Sequence, residues 1–138
     1  MPIRRHPLRT IFLYEQKGIW WRKLREILTE EILKANQLRS APGFEHWKVK
    51  PGPSAAVARR QTRVAPAIFI ADSGRLNELM KALQYRAFPV HVIYESMKLQ
   101  ERSECQKQGW QTWRIADVHP HDIVKDVLHY CYPEIYAN

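Results

Sequence analysis

The chain has 138 residues, enough for one domain around a single apolar core, and its 45% hydrophobic content agrees with a folded globular protein. Its charge is lopsided: residues 1–64 hold 14 of the 22 Lys and Arg and 5 of the 14 Asp and Glu, whereas residues 65–138 hold 8 and 9. A basic half beside a near-neutral one points to an anionic partner, while two cysteines, no apolar run of membrane length and no signal-peptide core speak against a secreted disulfide scaffold and a membrane protein. The expected setting is intracellular and reducing, the cytoplasm first.

Residues 1–9 are basic and acid-free and read as an exposed arm carrying Arg4 and Arg5. Thr10-Ile-Phe-Leu-Tyr14 is a short apolar, β-rich run between Pro7 and Lys17-Gly18, the mark of a buried strand. After Gly18 the period changes to three and four, with Trp21, Leu24, Leu28, Ile32 and Ala35 on one face, so a helix is predicted over 19–38. Residues 39–66 hold Pro42, Gly43, Pro51, Gly52, Pro53 and Pro66 without sustained periodicity and read as a long basic loop.

Ala67-Ile-Phe-Ile-Ala71 is a second strand, followed by Asp72-Ser73-Gly74 as cap and turn before a helix bearing Leu76, Leu79, Met80 and Leu83. Residues 89–94 read as a third strand, 95–108 as a polar helix stopped at Gly109, and 112–116 as a fourth strand. Asp122 is expected to cap a last helix with Val124, Val127, Leu128 and Cys131 on one face, ended by Pro133. Strands alternating with helices predict a single α/β domain over 1–138: a four-stranded, mostly parallel, Rossmann-like sheet with helices on both faces.

An acid follows each of these strands: Glu15, Asp72, Glu95 and Asp117. Ligands collect outside the carboxyl ends of parallel strands, so these four are candidate catalytic residues holding Mg²⁺ for phosphodiester hydrolysis. The arrangement loosely resembles metal-dependent nucleases with a small Rossmann-like fold, such as PIN domains, although Glu15 stands where such a domain places Asp. The same acids also suit helix capping. Glu15-Gln-Lys17 matches a short E-x-K nuclease element, and His119-Pro-His121 has the H-x-H spacing of some metal sites, but neither has further ligands in sequence. No G-x-S-x-G, P-loop or G-x-G-x-x-G occurs.

Aromatic and basic residues interleave at 20–25 and 44–50, a mixture suited to stacking on unpaired bases while tracking phosphates. The expected function is therefore nucleic-acid binding, RNA ahead of DNA, through Arg4, Arg5, Arg22, Lys23, Arg25, Trp47, Lys48, Lys50, Arg59, Arg60 and Arg63. No cofactor is expected unless the Mg²⁺-dependent nuclease alternative holds. A third alternative is a structural subunit of a protein or ribonucleoprotein assembly, its 39–66 loop ordering on a partner.

Overall fold

The computed structural model describes residues 9–38, 46–83 and 88–136. Apolar runs without polar alternation become central strands: β1 (Arg9–Tyr14) and β3 (Ala67–Asp72) are buried along almost their whole length, as strands covered on both faces must be. With β2 (Trp47–Pro51), β4 (Val90–Tyr94) and β5 (Gln111–Arg114) they form one parallel sheet in the order β2-β1-β3-β4-β5.

Alternate side chains of each strand go to opposite faces. Ile11, Leu13, Ile68, Ile70 and Ile93 meet α1 (Ile19–Leu38) and α5 (Pro120–Cys131), whereas Phe12, Tyr14, Phe69, Ala71, Val90 and Val92 meet α2 (Ala55–Gln61), α3 (Leu76–Leu83) and α4 (Leu99–Gln108). The predicted stripe of α1 is the buried one, Trp21, Leu24, Leu28, Ile32 and Ala35. Gly18 turns the chain from β1 into α1 with φ of +124°, a backbone conformation that residues bearing a side chain rarely adopt. A short final helix, α6 (Pro133–Tyr136), follows α5.

The sheet has five strands rather than the expected four, because the 39–66 segment is not a structureless loop. Its described part holds β2 and α2. Trp47 and Val49 of β2 pack toward α1, while Lys48 and Lys50, in register with Thr10 and Phe12, belong to the opposite face. Lysines on an edge strand discourage pairing with foreign strands, so the cations that made the segment look like a loop also suit an edge. Helix α2 buries Ala58 alone and is started by Ser54, whose hydroxyl accepts from Val57 N at 3.3 Å.

Smaller differences have local causes. The polar helix begins at Leu99 rather than 95, with the Glu101 carboxylate accepting from Lys98 N at 3.2 Å. The last strand ends at Arg114, and Ile115–Asp117 form a 3₁₀ turn. Asp122 is not the cap residue of α5. His119 occupies that position, its Nδ1 accepting from His121 N at 3.1 Å while Asp122 Oδ2 accepts from His119 N at 3.1 Å. Pro120 sits at the first helical position, where its missing N–H costs nothing.

Candidate functional site: the carboxyl edge and the basic faces

Helix α1 carries the chain from β1 outward to β2, and α2 carries it back across to β3 on the other side of β1, so the connectivity reverses between β1 and β3. In an open parallel sheet that reversal leaves a crevice outside the strand carboxyl ends, the usual ligand position. Two clefts lie there.

One, of about 370 Å³, is lined by Lys17, Gly18, Trp20, Asp72, Glu95 and Ile115, among others. It brings together two of the four strand-end acids. Asp72 Oδ2 accepts from Gly74 N at 2.9 Å and so starts the 3₁₀ turn before α3. Glu15 is engaged elsewhere, accepting from Arg25 Nε at 2.6 Å. Asp117 lies 3.9 Å from Arg114 Nη1, with its side chain 70% exposed. Among the described residues no group of three or more His, Cys, Asp and Glu stands close enough to hold a metal ion. In the H-x-H pair, His119 Nδ1 is occupied by capping.

Asparagine caps nearly as well as aspartate, so Asp72→Asn is expected to change stability by less than about 1 kcal/mol in thermal melts. The same variant tests hydrolysis. Mg²⁺- or Mn²⁺-dependent cleavage of labelled RNA or DNA by the wild type, lost in Asp72→Asn, would put chemistry in this crevice; cleavage surviving in the variant would place it elsewhere.

The second cleft, of about 340 Å³, is lined by Tyr14, Glu15, Arg25, Lys50, Gly52 and Arg75, among others. The Arg75 guanidinium lies over the Tyr14 ring at 5.0 Å from its centroid, and Tyr14 Oη donates to Pro53 O at 2.8 Å. Burial raises the Tyr14 pKa above its ordinary value, with Arg75 opposing. Neither Tyr14 nor Arg75 was a candidate from sequence. No local spacing ties Arg75 to a strand residue so far away in sequence.

The expected basic surface resolves into separate groups. Arg4 and Arg5 lie outside the described residues. Arg22, Lys23 and Arg25 are exposed on the first turns of α1, in the α1–α5 layer at the carboxyl edge. Lys48 and Lys50 stand on the other face of β2, in the layer of α2, whose last turn carries Arg59 and Arg60, with Arg63 just beyond. Arg59, Arg60, Arg63 and Lys48 are exposed and Lys50 partly so. Among the described residues Arg25, Lys34, Arg75 and Arg114 have carboxylates within ion-pair distance, whereas no ion pair engages Arg22, Lys23, Lys48, Lys50, Arg59, Arg60 or Arg63.

Trp47, expected as a stacking platform, is a core residue instead. It is 2% exposed, edge-on to Tyr130 with centroids 6.1 Å apart, and has Arg9 5.9 Å from its ring. Its backbone is clamped as well: Asn36 Nδ2 donates to Trp47 O at 2.9 Å, Trp47 N donates to Tyr132 Oη at 3.3 Å, and Tyr132 Oη donates to Asn36 Oδ1. The segment from Trp47 to Gln61 is therefore folded on its own domain. Trp20 is half-buried, its Nε1 donating to Val118 O at 3.4 Å.

His91 lies inside the α1–α5 layer, 3% exposed. Trp113 Nε1 donates to its Nδ1 at 3.0 Å, which assigns the ring proton to Nε2, 3.9 Å from Asp126 Oδ2. Cys105 and Cys131 are free, buried thiols, their pKa values raised by burial. Among the described residues no helix is long and apolar enough to cross a membrane.

The class these observations define is a doubly wound α/β domain with the flavodoxin-like strand order. No protein-family model matches the chain, and no curated protein or solved structure is significantly similar to it.

Proposed function

We propose that this chain is a nucleic-acid-binding module that contacts phosphates mainly through the α2 layer, with RNA the first candidate. The observation that carries the reading is a group of cations, among those the described carboxylates leave unneutralised, that gathers on β2 and α2: Lys48, Lys50, Arg59, Arg60 and Arg63 on one layer, joined by Arg22 and Lys23 on α1. Such groups attract a polyanion and release its counterions on contact. With Trp47 in the core and Trp20 anchored, base stacking loses its two aromatic candidates among the described residues, so the affinity rests on phosphate contacts and carries little sequence preference.

Binding of a labelled single-stranded RNA, followed by fluorescence anisotropy between about 50 and 200 mM salt, tests this. Five phosphate contacts predict a logarithmic salt slope of about −3.5 on a single strand. Replacing Arg59, Arg60 and Arg63 together by Ala should leave the fold intact, since all three are exposed, and should shallow the slope by about 2. Absent binding at low salt, or a flat salt dependence, sinks the reading. An unchanged slope in the triple variant moves the contacts off α2. Parallel titrations with single-stranded DNA and duplexes decide which nucleic acid is preferred.

A further inference from the structure

The nucleic-acid reading draws on one residue of the 340 Å³ cleft at the ends of β1 and β2, Lys50, and leaves the rest of its lining unused. We propose that this cleft is a mononucleotide site, with Arg25, Lys50 and Arg75 around the phosphate and Tyr14, Val49 and Pro51 walling the organic part.

Three observations lead there. First, the cations come from elements remote in sequence, namely α1, β2 and the turn after β3, yet line one concavity. Glu15 is the one carboxylate among the lining residues, and it is bonded to Arg25 at 2.6 Å. Arg75 also has a carboxylate near it, Glu78 at 3.4 Å, whose side chain is 62% exposed. A phosphate offers each guanidinium a more highly charged acceptor with bidentate geometry, so it can compete with both carboxylates.

Second, the perch of Arg75 is built rather than loose. Its guanidinium rests on the Tyr14 ring, the Tyr14 hydroxyl is tied to Pro53 O, and Gly52 stands so close that a Cβ there would come within 2.3 Å of the ring. Any side chain at 52 would displace the platform that carries Arg75. Third, the cleft lies outside the carboxyl ends of β1 and β2, next to the strand at which the connectivity reverses, and its volume lies at the small end of the range for ligand pockets, about 300–1,000 Å³. Its wall is apolar on the side of Val49 and Pro51, which suits a base or sugar better than bulk water.

Isothermal titration of the whole protein with AMP, adenosine and inorganic phosphate tests the assignment. AMP is expected to bind at one site, and adenosine and inorganic phosphate each at least tenfold more weakly. Arg75→Gln and Arg25→Gln should each weaken AMP at least tenfold. Both side chains are about half exposed, at 44% and 49%, so both variants should fold, which circular dichroism checks. Arg75 is not among the cations assigned to nucleic acid, so Arg75→Gln should bind RNA as the wild type does, and failure of RNA binding leaves this site standing. No AMP binding at millimolar concentration overturns the proposal. So does AMP affinity unchanged in both folded variants, or adenosine as tight as AMP. Inorganic phosphate as tight as AMP would reduce the cleft to an anion hole and overturn the nucleotide assignment.

Discussion

Replacing Trp47 by alanine is expected to destabilise the fold by about 3–5 kcal/mol, a large share of the roughly 5–15 kcal/mol that holds a domain of this kind together. The ring is 2% exposed and belongs to the core beneath α1 and α5. It closes that core at the sheet edge, where the indole lies against Tyr130 and Arg9. Its removal leaves a cavity that the clamped backbone of β2 cannot collapse into, since Asn36 and Tyr132 hold the strand at that residue. The indole Nε1 is buried and has no hydrogen-bond partner among the described residues. Trp47→Phe removes this orphaned donor along with part of the volume, so it should cost much less than Trp47→Ala. Urea unfolding of the three proteins checks both points. A cost below about 1 kcal/mol for the alanine variant would show that the ring is not part of the core.

The second large effect is acid sensitivity set by His91. Burial lowers its pKa from 6.5 to about 4, with Asp126 opposing. The folded state therefore binds fewer protons than the unfolded chain between those two values. Stability is complete above about pH 6.5, falls as the pH drops through the window, and has lost about 3 kcal/mol from this residue by pH 4. His91→Asn keeps an acceptor for Trp113 Nε1 and removes the titration. Unfolding midpoints of both proteins at pH 7 and near pH 4.5 should differ more for the wild type than for the variant. Parallel pH profiles would mean that other groups carry the acid response.

These two residues also mark how far the chain was legible before its structure. The parallel α/β architecture follows from β1 and β3, whose unbroken apolar runs only make sense between two layers, and from the five-residue stripe of α1. Strand β2 escaped because it has only two inward positions, Trp47 and Val49, set between lysines and prolines, so five residues give no period to read. Helix α2 escaped because one buried alanine makes no stripe. The strand-end acids were visible by position, but their occupations were not. The partnership of Glu15 with Arg25, or of Asp72 with Gly74, depends on how the chain turns after each strand. The cations of β2 and α2 fall into one layer only because β2 flanks β1, and periodicity says nothing about strand order.

That order has a consequence for synthesis. β1 is made first but sits between β2 and β3, with Arg9 paired to Trp47 and Thr10 paired to Ala67. A nascent chain that has emerged only as far as α1 presents an apolar strand with both edges open, and one that has reached α2 still has one edge open. The first half of the protein is thus the part most exposed to association during translation, until Ala67–Asp72 arrives and closes β1. A chain interrupted before residue 67 should collect in the insoluble fraction rather than persist as a folded half.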